Sequence, residues 1–226
     1  MLKYRQALGA MSVLMRDPFE FVALNEMTDA VSLSWPVQWW YRRLVKDVPA
    51  SVLDHLRELT RQPLDPDALG KLPKNTFGYG FHRFCAEHNI TANGHVKAVP
   101  QLRETFEKDW VTQRFFKIHD ILHAAVGFGT TVAGEMGLQM FDARNLREPY
   151  GIMAVAGTPY MIMRYGQPLE MLREIVRGWK LGGATGNLFF VPFEEMWDWD
   201  YEDMRAYLGF RRRRPMLQAL AARSET

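Results

Sequence analysis

The sequence predicts an all-α protein, a compact multi-helix domain. Three observations support this class. Signals for helix starts and stops recur along the 226 residues, and runs of Val, Ile and Thr, which favour strands, are scarce. The apolar fraction is 47% and the charged fraction 24%, which is typical of a folded globular chain. We expect one mostly helical domain over residues 1–226.

Several helices are predicted in the first half of the chain. Ser51 followed by Asp54 forms a capping-box-like start for a helix that runs toward Arg61. Proline residues then interrupt the helical pattern, and Asn93-Gly94 favours a turn. The remaining periodic stretches predict further helices, over Phe77–Glu87 and Gln101–Val126.

The clearest helix of the second half begins at Pro168 and ends at Gly182-Gly183. Its apolar positions share one side and its charged residues take the other, which is the pattern of an amphipathic helix. Those apolar positions are Leu169, Leu172, Ile175, Val176 and Trp179. Leu188–Val191 is the best strand candidate and could equally be a buried loop, and Pro215 starts a last short helix.

Charge and cysteine content exclude several classes. The net charge is +2 and the only basic run is Arg211–Arg214, so a nucleic-acid partner is not expected. Cys85 is the single cysteine, so the chain cannot form an internal disulfide, which fits a reducing compartment. No stretch of about 18 apolar residues lacks a charge, so we expect no membrane-spanning helix.

The segment that carries chemistry contains His119, Asp120 and His123. Residues four apart on a helix lie about 40° from each other around its axis, and Asp120 falls about 60° beyond His123. All three side chains therefore occupy an arc of about 100°. This is the arrangement of a paired-histidine metal helix, with Asp in place of the usual Glu.

Glu135 is the natural fourth ligand, provided that the chain folds back. An unbroken helix would put it about 18 Å from His123, whereas metal–oxygen bonds are about 2 Å. Gly127, Gly129 and the run Thr130–Val132 are where a helix could break. A broken helix pair would thus carry the metal site. Glu135 also lies among apolar residues, where an unpaired carboxylate is costly.

Two histidines and two carboxylates could hold Zn, Fe(II), Mn or Co, and the ligand types do not choose among them. Our hypothesis assigns His119, His123 and Glu135 as ligands of a divalent metal, with Asp120 either a further ligand or a catalytic base. The plainer alternative is an accidental histidine pair beside a surface aspartate.

Other features suit lipid contact. Trp35, Trp39, Trp40 and Tyr41 adjoin Arg42 and Arg43, a combination found at membrane headgroups, although core packing or a dimer contact would use the same residues. Arg211–Arg214 could touch anionic lipid or cap a solvated helix end. The Met- and Gly-rich stretch from Gly151 to Met163 could line a tunnel for an isoprenoid tail or form a buried helix pair.

The motif resembles that of a known family. His119-Asp120-x-x-His123, eleven residues and then Glu135 is similar to the pattern of the ubiquinone (coenzyme Q) biosynthesis family called Coq-four. The resemblance is strongest over residues 72–210. Its flanking matches are Leu72-Pro73, Thr76-Phe77-Gly78, Phe84, Gln113-Arg114, Gly134-Glu135, Phe141, Glu194, Trp197, Arg205 and Leu208-Gly209. The chain departs from the family where Phe116 and Lys117 replace an Arg-Glu pair, which bears on the substrate more than on the fold.

The resemblance implies an all-α protein with a bound divalent metal, zinc or a redox metal, that works at a membrane surface on a polyprenylated benzoquinone precursor. The implied reaction is oxidative decarboxylation and hydroxylation of the ring carbon that bears the carboxylate, a lyase-type activity. Expected partners are that precursor or another isoprenoid lipid, other quinone biosynthesis enzymes and a second copy of the chain. We expect a peripheral location at the inner face of a bacterial membrane, with the mitochondrial matrix side as the alternative.

Two other functions stay open at this point. A metallohydrolase would use Asp120 as the general base for a metal-bound water. A non-catalytic lipid-binding scaffold would use the metal only to join two helices.

Overall fold

A computed structural model describes residues 4–14, 16–17, 20–32, 34–88, 90, 109–147 and 149–210. Among these residues the only extended pairing is an isolated bridge between Thr76 and Asp200, so the all-α prediction is confirmed. The helices of the first half are α1 (Tyr4–Leu14), α2 (Phe21–Ser32), α3 (Trp35–Val45), α4 (Ala50–Arg61), α5 (Pro66–Leu69) and α6 (Phe77–Glu87). Those of the second half are α7 (Trp110–Leu122), α8 (Val132–Asn145), α9 (Pro149–Ala156), α10 (Thr158–Tyr165), α11 (Pro168–Gly182) and α12 (Tyr201–Tyr207).

The predicted helix bounds are confirmed for two helices. α6 and α11 have the predicted limits. α4 begins two residues early, at Ala50, with Pro49 at its N-cap and no side-chain cap, so the predicted Ser51 capping box is wrong. For Leu188–Val191 the sequence left a strand and a buried loop open, and the structure has no strand there: Leu188–Phe190 form a 3₁₀ turn in which Leu188 and Phe189 are buried. The Asn93-Gly94 turn, residues 101–108 of the predicted long helix, Arg211–Arg214 and the Pro215 helix lie outside the described residues.

The chain divides into two compact units. The first takes its residues from Met1–Ala68 and Phe84–Ile121, and the second from Leu69–Arg83 and Leu122–Thr226. Helices α5, α6 and α7 contribute residues to both units. A single domain over residues 1–226 stays a prediction.

The first unit is held together by aromatic and polar contacts between α7 and the helices that precede it. Thr112 donates a hydrogen bond of 2.8 Å to the hydroxyl of Tyr41, and the Tyr41 and Phe115 rings lie 5.8 Å apart. Tyr41 is therefore a core residue, in agreement with the core-packing alternative that the sequence left open for its cluster. Trp35 and Trp39 of that cluster are exposed.

The second unit joins two segments that are far apart in sequence. The amides of Phe77 and Gly78 donate to the carbonyls of Trp199 and Trp197, each at 2.8 Å. The Phe77 ring stacks on that of Trp197, with 5.1 Å between centroids. A side chain at Gly78 would meet the Trp197 carbonyl oxygen at 2.9 Å. These contacts give a physical reason for the Phe77-Gly78 and Trp197 motifs.

Helix α11 packs on α8 through glycine. A Cβ atom placed on Gly178 would lie 2.0 Å from the carbonyl oxygen of Gly137, so the two backbones touch at a distance that no side chain permits. Met171 and Gly182 are buried on the same side of α11. Because glycine lets the two axes approach closely, this face of α11 docks with Met171 as its one fully buried large apolar residue.

The apolar row of α11 faces outward. Leu169, Leu172, Val176 and Trp179 are all exposed, whereas an amphipathic helix of a globular protein ordinarily turns such residues toward the core. Of the predicted apolar positions, Ile175 alone packs against the buried residues around Met171. The helix was predicted correctly and the usual expectation for its apolar face does not hold.

Candidate metal centre

The helix that carries the histidines ends in an unusual turn. α7 passes directly into a π-helical turn, His123–Gly127, after which Phe128 is extended. Gly127 has a φ of +86°, in the left-handed region that favours glycine. The next helix, α8, begins at Val132, and the Thr131 hydroxyl caps it by accepting a bond of 3.1 Å from the Gly134 amide. The predicted break around Gly127–Val132 is therefore present.

Gly134 allows the connecting segment to fold tightly against α8. A Cβ atom on Gly134 would lie 2.1 Å from the carbonyl oxygen of Gly129. This contact is between backbone atoms, so it cannot be relieved by turning a side chain. It keeps the loop short and places Glu135, in the first turn of α8, back toward the π turn.

Both ring nitrogens of His123 have defined neighbours. The side chain is only 2% exposed, its Nδ1 lies 3.1 Å from the carbonyl oxygen of Phe128, and its Nε2 lies 3.2 Å from Oε1 of Glu135. A carbonyl oxygen only accepts hydrogen bonds, so Nδ1 carries the proton. In a neutral imidazole, Nε2 then has a lone pair that faces a carboxylate oxygen. The distance between these two atoms fits either a hydrogen bond or a metal ion that both atoms bind.

The three predicted ligands form one group. His119, His123 and Glu135 each offer a ligand atom within 4.8 Å of the others. His119 and His123 lie one turn apart in α7 and its continuation, so the helical segment itself sets their relation. His123 is buried, whereas His119 and Glu135 are half-buried. These side chains could therefore hold a metal ion.

Asp120 does not belong to this group of ligand atoms. Its carboxylate acts instead on Cys85, whose pKa is raised to about 12 by burial and, to a smaller extent, by the negative charge of Asp120. The role of Asp120 as ligand or base stays a prediction.

Three side chains bind the carbonyls at the end of the π turn. A helix leaves its last carbonyls without partners inside the helix. The Tyr201 hydroxyl donates to the Ala124 carbonyl at 2.5 Å, Arg205 donates to that of Ala125, and Arg177 donates to that of Gly127 at 2.9 Å. The two guanidinium groups also complement the partial negative charge of the helix end. Together they fix the turn from which His123 projects.

Sequence reasoning missed most of this support. Arg205 entered only as a family match and Arg177 only as a charged position on α11. Both donate to carbonyls about 50 to 80 positions away along the chain. The spacing of neighbouring residues cannot predict a contact over such a separation.

Lys117, one of the two residues at which the chain departs from the family pattern, contacts the end of α4. Its ammonium donates to the carbonyls of Gln62, at 2.8 Å, and of Leu59, at the end of α4. The lysine thus stabilises a helix terminus in the first unit.

The fold and this group define an all-α protein with a candidate His–His–Glu metal centre. The family model of the coenzyme Q (ubiquinone) biosynthesis protein Coq4 matches residues 5–214. The chain therefore belongs to this ubiquinone biosynthesis family, as the motif resemblance indicated. None of the helices in the described part of the chain is long and apolar enough to cross a membrane.

Curated relatives are similar over most of this chain. The mitochondrial ubiquinone biosynthesis protein COQ4 of Eremothecium gossypii is 27% identical over 172 residues, covering 75% of this chain and 50% of the relative. The mitochondrial COQ4 homolog of Aedes aegypti is 27% identical over 167 residues, covering 72% and 59%. The chain thus spans about half the length of these relatives.

A solved structure supports the fold. A crystal structure of a Nostoc punctiforme protein, assigned provisionally to ubiquinone biosynthesis, superposes with a TM-score of 0.70 at 23% identity. The match covers 94% of this chain and all of that one. At this identity the likeness bears on the fold alone.

The close approach at Gly134 is open to a direct test. Gly134→Ala should lower the free energy of unfolding by about 1 to 3 kcal/mol, because the added methyl group must displace the Gly129 backbone. Gly129→Ala is the matched control, since a Cβ atom there meets nothing within 4 Å. Urea denaturation of both variants checks this, and equal stabilities would contradict the packing described.

The support of the π turn predicts a second stability difference. Arg205→Gln should lower the free energy of unfolding by about 1 to 2 kcal/mol, because the Ala125 carbonyl loses a charged donor. Arg173→Gln, at an exposed site on α11, should change stability by less than about 0.5 kcal/mol. Thermal unfolding followed by circular dichroism measures both, and an unchanged Arg205→Gln variant would contradict the assignment.

The thiol of Cys85 should be inert in the folded protein. Thiolates are the reactive species, and a pKa of about 12 leaves almost none at pH 8. A disulfide reagent such as DTNB should label Cys85 only after denaturation. Labelling of the native protein at the rate of a free cysteine would show that the side chain is not held as described.

Proposed function

We propose that this chain binds a divalent metal through His119, His123 and Glu135 and uses it in ubiquinone biosynthesis, on a prenylated ring precursor. The proposed step removes the ring carboxylate as CO2 and puts a hydroxyl group on the same carbon. The observation that carries the metal assignment is the facing pair of His123 Nε2 and Glu135 Oε1, 3.2 Å apart, with Nδ1 already bonded to Phe128.

The separation of these atoms fits a shared ion. Two ligand atoms about 2.1 Å from one ion lie about 3.0 Å apart at an octahedral angle and about 3.4 Å apart at a tetrahedral angle. The observed 3.2 Å falls between these values. The bond from Nδ1 to a backbone carbonyl is the usual outer contact of a metal-bound histidine, because it fixes the tautomer that leaves Nε2 available.

The donor set also fits the proposed chemistry. Two histidines and one carboxylate leave coordination positions open, as in non-haem Fe(II) oxygenases and in His₂Glu zinc enzymes. When bound, the metal would polarise the substrate carboxylate and, if it is a redox metal, take part in the oxidation. Replacing a carboxylate by a hydroxyl is a two-electron oxidation, so an oxidant of the O2 class must accept those electrons.

The chain's own residues hold the site in shape. The π turn, fixed by Arg177, Tyr201 and Arg205, keeps His123 buried and its ring orientation constant. His119 and Glu135, which are only half-buried, would form the side from which substrate enters. Asp120 stays a proposed base, next to His119 in sequence.

Further parts of the proposal follow from the family. The ring precursor carries an isoprenoid tail, so we propose that the chain works at a membrane surface, beside other enzymes of the same pathway. The relatives named above are mitochondrial proteins, and the expectation of a bacterial inner face stays a proposal. A homodimer is likewise a proposal.

The test measures metal and turnover together. Purified protein loaded anaerobically with Fe(II), Co(II) or Zn(II) should hold one ion per chain, measured by plasma mass spectrometry. His123→Ala and Glu135→Gln should each lose most of that metal, because each removes one of three ligands. His55→Ala is the matched control, since His55 is exposed on α4 and lies outside the group.

Turnover separates the enzyme from a scaffold. In air-saturated buffer, where O2 can accept the two electrons, the loaded wild-type protein should release CO2 from a prenylated hydroxybenzoate, and His123→Ala should not. Full metal with no turnover under any of the three metals would instead favour a scaffold in which the ion joins α7 to α8. Equal metal content in wild type and His123→Ala would overturn the site.

A further inference from the structure

The apolar row of α11 forms an exposed surface that runs along most of the helix, from Leu169 to Trp179. Leu169 is 79% exposed, and Leu172, Val176 and Trp179 are each about half exposed. At 100° per residue these four positions fall within about 80° of one another around the axis. We call this row the outer face of α11. Large apolar patches on a folded domain mark places where something else binds.

The apolar surface continues onto the preceding helix. Leu172 and Ile175 line a shallow groove with Pro159, Ile162 and Met163 of α10. Met163 is 79% exposed. The outer face of α11 is therefore one edge of a wider apolar area made by α10 and α11, all within the second unit.

Positive charge lies directly beside the apolar row. Arg173 and Lys180 fall about 20° to 40° from Leu169 around the helix, and both are exposed. Arg164 of α10 is exposed as well. Glu174 is paired with Arg177 at 2.9 Å, which leaves Glu170 as the single exposed acid of these two helices. Three exposed cations against one exposed anion give the surface a positive edge.

We propose that this surface docks on an anionic lipid bilayer, with the outer face of α11 in the headgroup–acyl boundary and Arg164, Arg173 and Lys180 against lipid phosphates. A helix with Leu, Val and Trp on one strip and Lys or Arg next to it is the composition of an interfacial helix that lies along a membrane. The same positive edge disfavours a second copy of the chain, because two identical faces would bring like charges together.

The docked face is connected to the candidate metal centre. Arg177, on the edge of α11, donates to the Gly127 carbonyl at the end of the π turn that begins with His123. The helix that meets lipid therefore also holds the metal-bearing turn. This inference rests on the proposed function only where it concerns a lipid-borne substrate, since vesicle binding needs neither metal nor turnover.

The experiment compares two exposed apolar sites on the same chain. Sedimentation with phosphatidylcholine vesicles, with and without phosphatidylglycerol, measures binding of the 226-residue chain. We expect binding to the anionic vesicles that weakens with added salt. Leu172→Glu with Val176→Glu should reduce binding by about tenfold or more, and so should Arg173→Glu with Lys180→Glu.

The control places glutamate at two other exposed apolar residues of the first unit, Leu8 on α1 and Val52 on α4. Leu8→Glu with Val52→Glu adds the same negative charge outside the proposed docking surface and should leave vesicle binding unchanged. Unfolding curves and metal content of each variant show whether fold and metal centre are intact. A loss of binding with unchanged metal content supports the docking surface independently of the proposed reaction.

Three results would overturn the inference. One is a wild-type protein that does not bind anionic vesicles. Another is a Leu172→Glu, Val176→Glu variant that binds as the wild type does. The third is a wild-type dimer by light scattering that this variant converts to a monomer, with no vesicle binding by either form, which would assign the face to a second copy.

Discussion

The abrupt end of α7 is the constraint on which the candidate metal centre depends. A continuous helix would carry Glu135 far from His123, but the π turn and Gly127 end the helix within one turn of the second histidine. Gly134 then lets the loop lie against the start of α8. A helix that ends this sharply leaves carbonyls without helical partners, and the rest of the second unit supplies donors to them. The site and its scaffold are thus one hydrogen-bonded arrangement.

Helix α11 combines three roles through the distribution of its residues. Glycine faces α8 and permits close backbone contact, arginine at the side holds the π turn, and the apolar row faces outward. A conventional amphipathic helix would bury its apolar row against the core. Because Gly178, Gly137 and Met171 provide the packing instead, the row remains available for the proposed partner, and the same helix contacts the turn of the candidate metal centre.

The sequence predicted what depends on local spacing. The His119–His123 pair, the break near Gly127 and the bounds of α6 and α11 follow from helical period, glycine and proline. It could not predict contacts across long stretches, such as Arg205 on the Ala125 carbonyl or Lys117 on the end of α4. The outward position of the apolar row of α11 could not be predicted for a related reason, since an amphipathic pattern does not reveal that a neighbouring helix offers a glycine surface.

The space between His123 and Glu135 is where a bound metal ion can be tested most directly. X-ray diffraction from crystals of the cobalt-loaded protein, measured across the cobalt absorption edge, locates the ion itself. We predict a single anomalous peak within bonding distance of His123 Nε2 and Glu135, with His119 as the third ligand. A crystal with cobalt bound elsewhere, or with a direct hydrogen bond between an imidazolium and Glu135 and no ion, would contradict it.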